Sequence, residues 1–289
     1  MAENEIIENE AVETAEAVEA VATSETAVDG SAKKKTEKKT EAKKPRKTTR
    51  RRNALRPIEF LFQQIYDTSG NAVVGYECML QINDKKLGCL TYDKIASVAE
   101  RTTLISRLGN WALEEACEVL KRTYDAGKHV HLLFLPLSPK HIIRPDFFDK
   151  LDSILKKYDI SYGRFVFEIY DSEFFNYGKE FSKAIAALRE KGVKIALKDF
   201  GAESSSLTKL HDMQIDYLML DPEFMTDITN KRSRDITESI VEMAQKLDIM
   251  VIGTGVDTKE QLNVTKEMRC YLVEGRYFSV PEREDRAIN

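Results

Sequence analysis

The stretch GVKIALKDFGAESSSLTKLHDMQIDYLMLD, residues 192–221, contains two short apolar runs that each end in a charged residue. The first run, Val193 to Leu197, stops at Lys198 and Asp199, and the second, Ile215 to Leu220, stops at an aspartate. Short apolar runs bounded in this way are typical of buried strands, and the amphipathic segment between them is typical of a connecting helix. The stretch therefore predicts a strand–helix–strand unit with polar side chains at the carboxyl end of its strands.

Strands and helices of similar length are predicted on both sides of this stretch. The expected strands are Ile58–Tyr66, Ala72–Ile82, His129–Leu135, Phe165–Ile169 and Ile249–Ile252. The expected helices are Thr91–Glu100, Thr103–Ala126, Pro145–Lys157, Glu173–Lys191 and Ser233–Leu247. The first two strands form a hairpin, and the alternation that follows indicates an α/β barrel or a doubly wound sheet. Polar residues at the ends of several different strands favour the barrel, with a site on one rim.

Three details of this reading make specific claims. Pro136 is expected to stop the strand that begins at His129. Thr258 is expected to be the N-cap of a helix that begins immediately after it. The helix from Ser233 is expected to bury one apolar face. That face contains Ile236, Ile240, Ala244 and Leu247.

Charge is distributed unevenly along the 289 residues, whose formal net charge is -4. Residues 1–30 hold nine acidic residues and no Lys or Arg, and residues 31–52 hold twelve Lys or Arg and two Glu. Aromatic residues are absent from both segments, so neither can bury enough apolar surface to offset the entropy of ordering. We expect a disordered tail, acidic over 1–30 and basic over 31–55, before a folded domain at 56–285.

The basic tract at residues 33–52 is compatible with binding to nucleic acid or an anionic surface. It is also compatible with a solvated tail that folds partly onto the acidic segment before it. The absence of aromatic stacking platforms favours the solvated tail.

The cysteines indicate a reducing compartment. Four of them are scattered without a C-x-x-C pair, which gives no support for a zinc site or a disulfide framework. No apolar run approaches the length of a membrane span, and the first ten residues are acidic, unlike a secretory signal. We therefore expect a cytoplasmic protein without a transmembrane segment.

Six segments in order resemble a known family, the EAL domains that hydrolyse the bacterial second messenger cyclic di-GMP. They are FQQIYDTSGNAVVGYECMLQ, LFLPLSPKHI, FVFEIYDSE, KIALKDFGAESSSLTKLHDMQIDYLMLDPEFM, VIGTGVDTKEQL and VEGRYFSVP. The resemblance covers most of residues 58–281. It implies a modified TIM (β/α)8 barrel whose first strand is antiparallel.

The resemblance also implies where the family binds two divalent metal ions, Mg²⁺ or Mn²⁺, through carboxylates and one Asn. Three of these positions keep an acidic residue, at Glu77, Glu168 and Asp199. The Asn position falls on Pro136, and the first Asp of the family's Asp-Asp pair falls on Lys198. Lys has three donors and no acceptor, so it cannot be a metal ligand in its charged form.

Other family positions are altered as well. A supporting Lys, two Glu, a phosphate-binding Arg and a Gln fall on Met219, Thr254, Asp257, Gln81 and Glu274. Lys198 is expected to lie between Glu77 and Glu168 and to replace part of the metal charge. We therefore expect no catalytic residue, metal or cofactor. A remnant cleft is expected near Glu77, Glu168, Lys198, Asp199 and Arg276, with an unknown ligand.

Three functions follow from the resemblance. The first is an inactive EAL-like domain that acts as a protein-interaction or regulatory adaptor in bacterial signalling. The second is a cyclic di-GMP receptor that binds without hydrolysis, in which Arg276 partly replaces the lost Arg. The third is an active phosphodiesterase. The altered positions favour a protein partner and weak binding of cyclic di-GMP, and they leave homodimerisation open.

Two further groups of residues have a functional and a structural interpretation. His129 and His131 are two apart, with His141 nearby in sequence, which is compatible with a metal site or with ordinary polar residues at a strand entry. The cluster Ser204–Ser206 is compatible with a nucleophile or with helix capping. We favour the structural interpretation of both groups.

Overall fold

The structure is a computed structural model that describes residues 58–84, 88–101, 104–174, 177–202 and 214–288. The predictions for the acidic and basic tails lie outside these residues. So do the Ser204–Ser206 cluster and the helix predicted between the two strands of the 192–221 stretch. The domain boundaries at 31, 56 and 285 stay predictions.

Strands and helices alternate along most of the described chain. The strands are β1 Ile58–Asp67, β2 Ala72–Asp84, β3 Gly88–Thr91, β4 Leu133–Pro136, β5 Phe165–Tyr170, β6 Lys194–Phe200, β7 Tyr217–Leu220, β8 Met250–Gly253 and β9 Leu272–Val273. The helices are α1 Tyr92–Ala99, α2 Leu104–Asp125, α3 Pro139–Ile142, α4 Phe147–Tyr158, α5 Asp171–Phe174, α6 Gly178–Glu190, α7 Glu223–Thr226, α8 Lys231–Lys246, α9 Lys259–Glu267 and α10 Glu284–Ala287.

Eight of the described strands close into a barrel. Their order is β1-β9-β8-β7-β6-β5-β4-β2, and β1 also pairs with β2. Strand β1 is antiparallel to β9, whereas the pairs from β2–β4 round to β8–β9 are parallel. The expectation of a TIM-type barrel with an antiparallel first strand is confirmed.

The described residues group into two compact units. The larger contains residues 60–79 and 105–288, and with them most of the barrel. The smaller contains residues 58–59 and the described part of 80–104. In the smaller unit, β3 pairs antiparallel with the end of β2, from Gln81 opposite Thr91 to Asp84 opposite Gly88, and leads into α1.

Most strands of the barrel contribute at least one apolar side chain to its interior. Its members are Ile65, Phe134, Val166, Ala196, Tyr217, Met219 and Ile252. All are buried, so the centre of the barrel is a packed core rather than a channel.

The structure corrects two of the boundaries expected from sequence. Strand β4 begins at Leu133 rather than His129, and Pro136 is its last residue rather than the residue after it. Proline is tolerated there because the next ladder bond is made by Leu137, whose N–H donates to the Glu168 carbonyl at 3.1 Å. The helix expected at Glu173–Lys191 is described as two helices, α5 and α6.

The prediction of which residues form the buried face of α8 is also wrong. Its buried residues are Thr237, Val241 and Ala244, whereas Ile236 and Leu247 are about half exposed. Thr237 can take a core position because its hydroxyl donates to the Ser233 carbonyl at 2.9 Å, one helical turn back. By contrast, the expected cap at Thr258 is confirmed, since Thr258 and Gln261 form a reciprocal capping box at the start of α9.

None of the helices within the described ranges is both long enough and apolar enough to span a membrane.

Candidate functional site

The polar site lies one layer beyond the packed core of the barrel. Side chains two residues apart on a strand point to the same face. Glu168 and Lys198 therefore follow the core residues Val166 and Ala196 into the barrel mouth, at the carboxyl ends of β5 and β6. Their backbones are held in the parallel ladder, with Glu168 opposite Ala196 and Tyr170 opposite Lys198.

Lys198 joins carboxyl groups from two different strands. Its ammonium donates a hydrogen bond to Glu77 on β2 and lies 3.6 Å from a carboxylate oxygen of Glu168. The Lys198 side chain is 14% exposed, and both glutamates are buried. The expected position of Lys198 between the two acids is therefore what the geometry shows.

A third glutamate completes this group. Glu274 follows β9, is buried, and shares a side-chain hydrogen bond with Glu77. Its backbone is anchored on both sides, because its N–H donates to the Gly253 carbonyl and its own carbonyl accepts from Val256, both at 2.9 Å. We call Glu77, Glu168, Lys198 and Glu274 the Lys198 cluster.

The four groups of the Lys198 cluster differ in their ionisation. Burial disfavours the ammonium of Lys198, but Glu168 and Glu77 outweigh it and raise its pKa well above the ordinary value. Burial also opposes ionisation of Glu77, yet the Lys198 charge and the hydrogen bonds from Glu274 and Lys198 lower its pKa. Lys198 and Glu77 are therefore a buried ion pair.

Burial shifts the other two carboxyl groups toward the neutral form. Burial raises the pKa of Glu168 well above its usual range, and the charges of Glu77 and Asp199 add to this against the opposing effect of Lys198. Burial and the neighbouring Glu77 raise the pKa of Glu274 in the same way. In the hydrogen bond between Glu274 and Glu77, the raised pKa favours Glu274 as the donor. Lys198 thus pairs with the Glu77 carboxylate, while burial shifts Glu168 and Glu274 toward their protonated forms.

Asp199 is set apart from the Lys198 cluster by an irregularity in the sheet. The pairing of β6 with β7 shifts register between Leu197 and Phe200, and Asp199 adopts a left-handed backbone with φ of 55°. Such a bulge breaks the inward–outward alternation of the strand. Lys198 keeps the inward direction of Ala196, and Asp199, at the bulge, is only half-buried.

Three other family positions in the barrel carry uncharged residues. Pro136 is buried at the end of β4 with no side-chain donor or acceptor, and Met219 is fully buried in the core. Thr254 is buried, and its hydroxyl donates to the Leu220 carbonyl, so it serves the backbone of the neighbouring strand. Asp221 acts similarly, since its carboxylate accepts from the Glu223 N–H at 2.8 Å at the start of α7.

The residues present do not fit a pair of divalent ions. An ammonium already lies between Glu77 and Glu168, where a metal would need both carboxylates as ligands. Pro136 removes a further oxygen. In the described part of the chain, no group of three or more His, Cys, Asp or Glu side chains is arranged to hold a metal ion.

The remaining positions named from sequence are engaged elsewhere. Gln81 donates to Glu59 at 3.3 Å. Asp257 accepts from the Arg276 N–H at 2.8 Å and from its guanidinium at 3.2 Å. Arg276 is therefore an exposed residue paired with Asp257. No hydrogen bond or ion pair in the described residues joins it to the Lys198 cluster.

The three histidines do not form one group. His129 and His131 line a concavity with Tyr124, Val130 and Arg164, which does not include His141. His141 is buried on α3, with its ring 5.0 Å from that of Phe147. Neither of its ring nitrogens has a hydrogen-bond partner among the described residues, and burial lowers its pKa to about 4.

Sequence reasoning missed two features of this site. It identified Glu274 only as a changed residue, and not as a hydrogen-bond partner of Glu77. It also grouped His141 with the wrong neighbours. The sequence did contain a signal for the role of Glu274, because it places a glutamate where the family has a neutral Gln, close to the retained acids. Buried carboxylates that lie close together need a cation or a proton to offset their repulsion.

Known proteins with similar sequences are larger than this chain. The oxygen sensor protein DosP of Escherichia coli is 27% identical over 219 residues, which are 75% of this chain and 27% of DosP. The cyclic di-GMP phosphodiesterase NbdA of Pseudomonas aeruginosa is 29% identical over 233 residues, 80% of this chain and 30% of NbdA. The chain thus spans less than a third of the length of these relatives.

Solved structures with the same fold include complexes with cyclic di-GMP. The PaMucR phosphodiesterase in its c-di-GMP complex superposes with a TM-score of 0.72 at 21% identity, over 80% of this chain and 94% of that protein. Klebsiella pneumoniae BlrP1, in a manganese and cyclic di-GMP complex, gives a TM-score of 0.64 at 25% identity, over 79% and 57%.

The family assignment rests on most of the described chain. The sequence profile of the EAL domain matches residues 48–281, which include every strand of the barrel. The order of the strands and the antiparallel β1 agree with this match. The chain therefore belongs to the EAL domain family.

Proposed function

We propose that this EAL domain is catalytically inactive and acts as a protein-interaction or regulatory module in cyclic di-GMP signalling. The observation that carries the proposal is the position of the Lys198 ammonium between Glu77 and Glu168. In the family resemblance, this is where carboxylates hold the metals that activate water for attack on the phosphodiester. Here Glu77 accepts a hydrogen bond from that ammonium, and Glu168 lies 3.6 Å from it.

The charge of Lys198 opposes metal binding directly. A divalent ion about 4 Å from an ammonium would be repelled by roughly 8 kcal/mol at an effective dielectric constant of about 20. The raised pKa values of Glu168 and Glu274 reduce the negative charge that could offset this repulsion. The cluster therefore supports folding of the barrel mouth without metal and does not support hydrolysis.

The surroundings of the cluster also disfavour a dianionic nucleotide. The position of the family's phosphate-binding Arg is Gln81, a neutral residue that hydrogen bonds to Glu59. Arg276 is paired with Asp257, so its charge is already neutralised. These contacts favour a protein partner over the alternative, a receptor that binds cyclic di-GMP without cleaving it.

Hydrolysis and binding are tested separately on the full chain. Cyclic di-GMP is incubated with Mg²⁺ or Mn²⁺, and the linear dinucleotide is sought by chromatography; we expect none, and its formation would overturn the proposal of inactivity. Calorimetry with cyclic di-GMP is expected to show no saturable heat. Saturable binding without cleavage would replace the protein-interaction function with the receptor function.

A restored variant gives the matched control. Pro136→Asn with Lys198→Asp returns two oxygen ligands to the positions that the resemblance assigns to metal binding. We expect Mn²⁺ to raise the unfolding temperature of this variant and not that of the parent. An equal shift in the parent would contradict the role assigned to Lys198.

The partner is to be sought by affinity capture from the native host, with the Pro136→Asn, Lys198→Asp variant as a comparison. The solvated-tail interpretation of residues 33–52 is tested by deleting residues 31–52, which should leave binding to DNA, RNA and anionic lipid unchanged. A loss of binding, with an affinity in the parent that falls steeply with salt, would assign a contact with nucleic acid or an anionic surface instead.

A further inference from the structure

A second polar concavity lies at the end of the barrel where strands β4 and β5 begin. These strands are parallel, with Leu133 opposite Phe165, so the residues that precede them meet at one edge. His131 and Arg164 are such residues, and the Arg164 guanidinium donates to the His131 carbonyl at 3.4 Å. The Lys198 cluster, by contrast, follows the carboxyl ends of these strands.

The concavity has a volume of about 270 Å³, and most of its lining side chains carry a hydrogen-bond donor. Its lining is Tyr124, His129, Val130, His131 and Arg164. Arg164 carries five N–H donors and each imidazole at least one. None of the lining residues is acidic, so nothing in the lining repels an anion.

Arg164 is held in place without being neutralised. Its guanidinium lies 5.9 Å from the centre of the Tyr124 ring, and the Tyr124 hydroxyl donates to the Val130 carbonyl at 2.9 Å. The His129 ring is 6.4 Å from the same Tyr124 ring. No carboxylate in the described part of the chain forms an ion pair with Arg164, whereas several other arginines are paired with an Asp or a Glu, namely Arg122, Arg144, Arg189, Arg234 and Arg276. Such an arginine is preorganised for a ligand anion, because its charge is oriented but unpaired.

We propose that this concavity binds a phosphate group, with Arg164 as a bidentate donor and His129 and His131 as additional donors. A phosphate offers three or more acceptor oxygens to these three side chains, whereas a carboxylate offers two. A planar guanidinium matches adjacent phosphate oxygens through two parallel hydrogen bonds. The site is independent of the Lys198 cluster and of whether the domain hydrolyses cyclic di-GMP.

The test is a titration of the isotopically labelled full chain with inorganic phosphate at constant ionic strength. The side-chain resonances of Arg164, His129 and His131 should shift together and saturate. Arg164→Gln should weaken phosphate binding at least tenfold, and Arg232→Gln, which removes an equal charge from exposed α8, should not change it. Resonance shifts that do not saturate with phosphate, or that persist in Arg164→Gln, would overturn the proposal.

Two further arms sharpen the chemistry. Acetate should bind at least fivefold more weakly than phosphate. Equal affinities would overturn the assignment to phosphate, because the site would then not distinguish one anion from another. Arg164→Lys keeps the positive charge but lacks the two parallel N–H donors of the guanidinium, so this variant should bind phosphate more weakly than the parent. An unchanged affinity would contradict bidentate binding. Glycerol 3-phosphate identifies the source: tighter binding than inorganic phosphate assigns the site to a phosphate ester, and weaker binding assigns it to the free anion.

Discussion

The ammonium of Lys198 lies 3.6 Å from the Glu168 carboxylate while it donates a hydrogen bond to Glu77. One cation thus serves acids from two strands that are separated by β4 in the barrel. An ion pair removed from water is weak evidence for stability, but loss of one partner leaves the other buried and uncompensated. Substitution of Lys198 should therefore measure how much this ion pair contributes to the stability of the barrel mouth.

Lys198→Met should lower the free energy of unfolding by about 3 kcal/mol, because Glu77 would be left buried without its cation. Urea denaturation at pH 7.5 measures this loss. The control is Lys231→Met, which removes a pair with Asp235 on α8 whose lysine is 87% exposed. That variant should lose only about 0.5 kcal/mol. Equal stability of Lys198→Met and the parent would show that the ion pair has no structural role.

Glu274→Gln should not destabilise the protein at pH 7.5, and a gain of about 1 kcal/mol is expected. Burial raises the pKa of Glu274 in the folded state, so folding takes up a proton above the unfolded pKa of about 4.5. That uptake costs stability as pH rises. The glutamine amide is neutral at every pH and can donate to Glu77 without a proton.

The measurement for Glu274→Gln is the difference in unfolding free energy from the parent between pH 5 and pH 8. The difference should grow in favour of the variant as pH rises. Glu242→Gln, an exposed change on α8, should show no such trend. A variant that is less stable than the parent at every pH would contradict the protonated state assigned to Glu274.

His141 should make stability fall in mild acid. Burial lowers its folded-state pKa to about 4 from an unfolded value of 6.5, so the unfolded chain binds more protons between these values. The contribution is complete above pH 6.5 and is lost as pH falls toward 4, by about 3 kcal/mol in all. His141→Leu should flatten this part of the stability curve relative to the parent. The exposed change His131→Leu should keep the slope, and a parent-like slope in His141→Leu would refute the assignment.

Gly109→Ala should be destabilising by about 1–3 kcal/mol, although the same change within most helices is stabilising. Gly109 lies in α2, and a Cβ atom there would be 2.5 Å from the Cδ2 atom of His141. Thermal unfolding of Gly109→Ala, His141→Ala and the double variant measures the coupling. The glycine change should become harmless once the imidazole is removed. Additive losses would show that the contact is not the cause.

Much of the barrel could be predicted from local pattern. Short apolar runs located β5, β6 and β8 to within a few residues, because a buried parallel strand is largely apolar on both faces. The pattern failed at β4, where His129 to Leu132 precede the strand rather than belong to it. It failed again on α8, where Thr237 is buried and Ile236 is exposed, since a satisfied hydroxyl can replace an apolar side chain in the core.

The sequence by itself determined which side chains occupy the family positions, and Lys198 and Pro136 replace two of the oxygen ligands that the resemblance implies. The tertiary structure decided which acids share those positions and in what charge state. Glu77 and Glu274 are nearly two hundred residues apart, and only closure of the barrel between β2 and β9 through β1 brings their carboxyl groups into hydrogen-bonding distance. Ionisation depends on burial and on neighbouring charges, which are properties of the folded barrel and not of any segment of its chain.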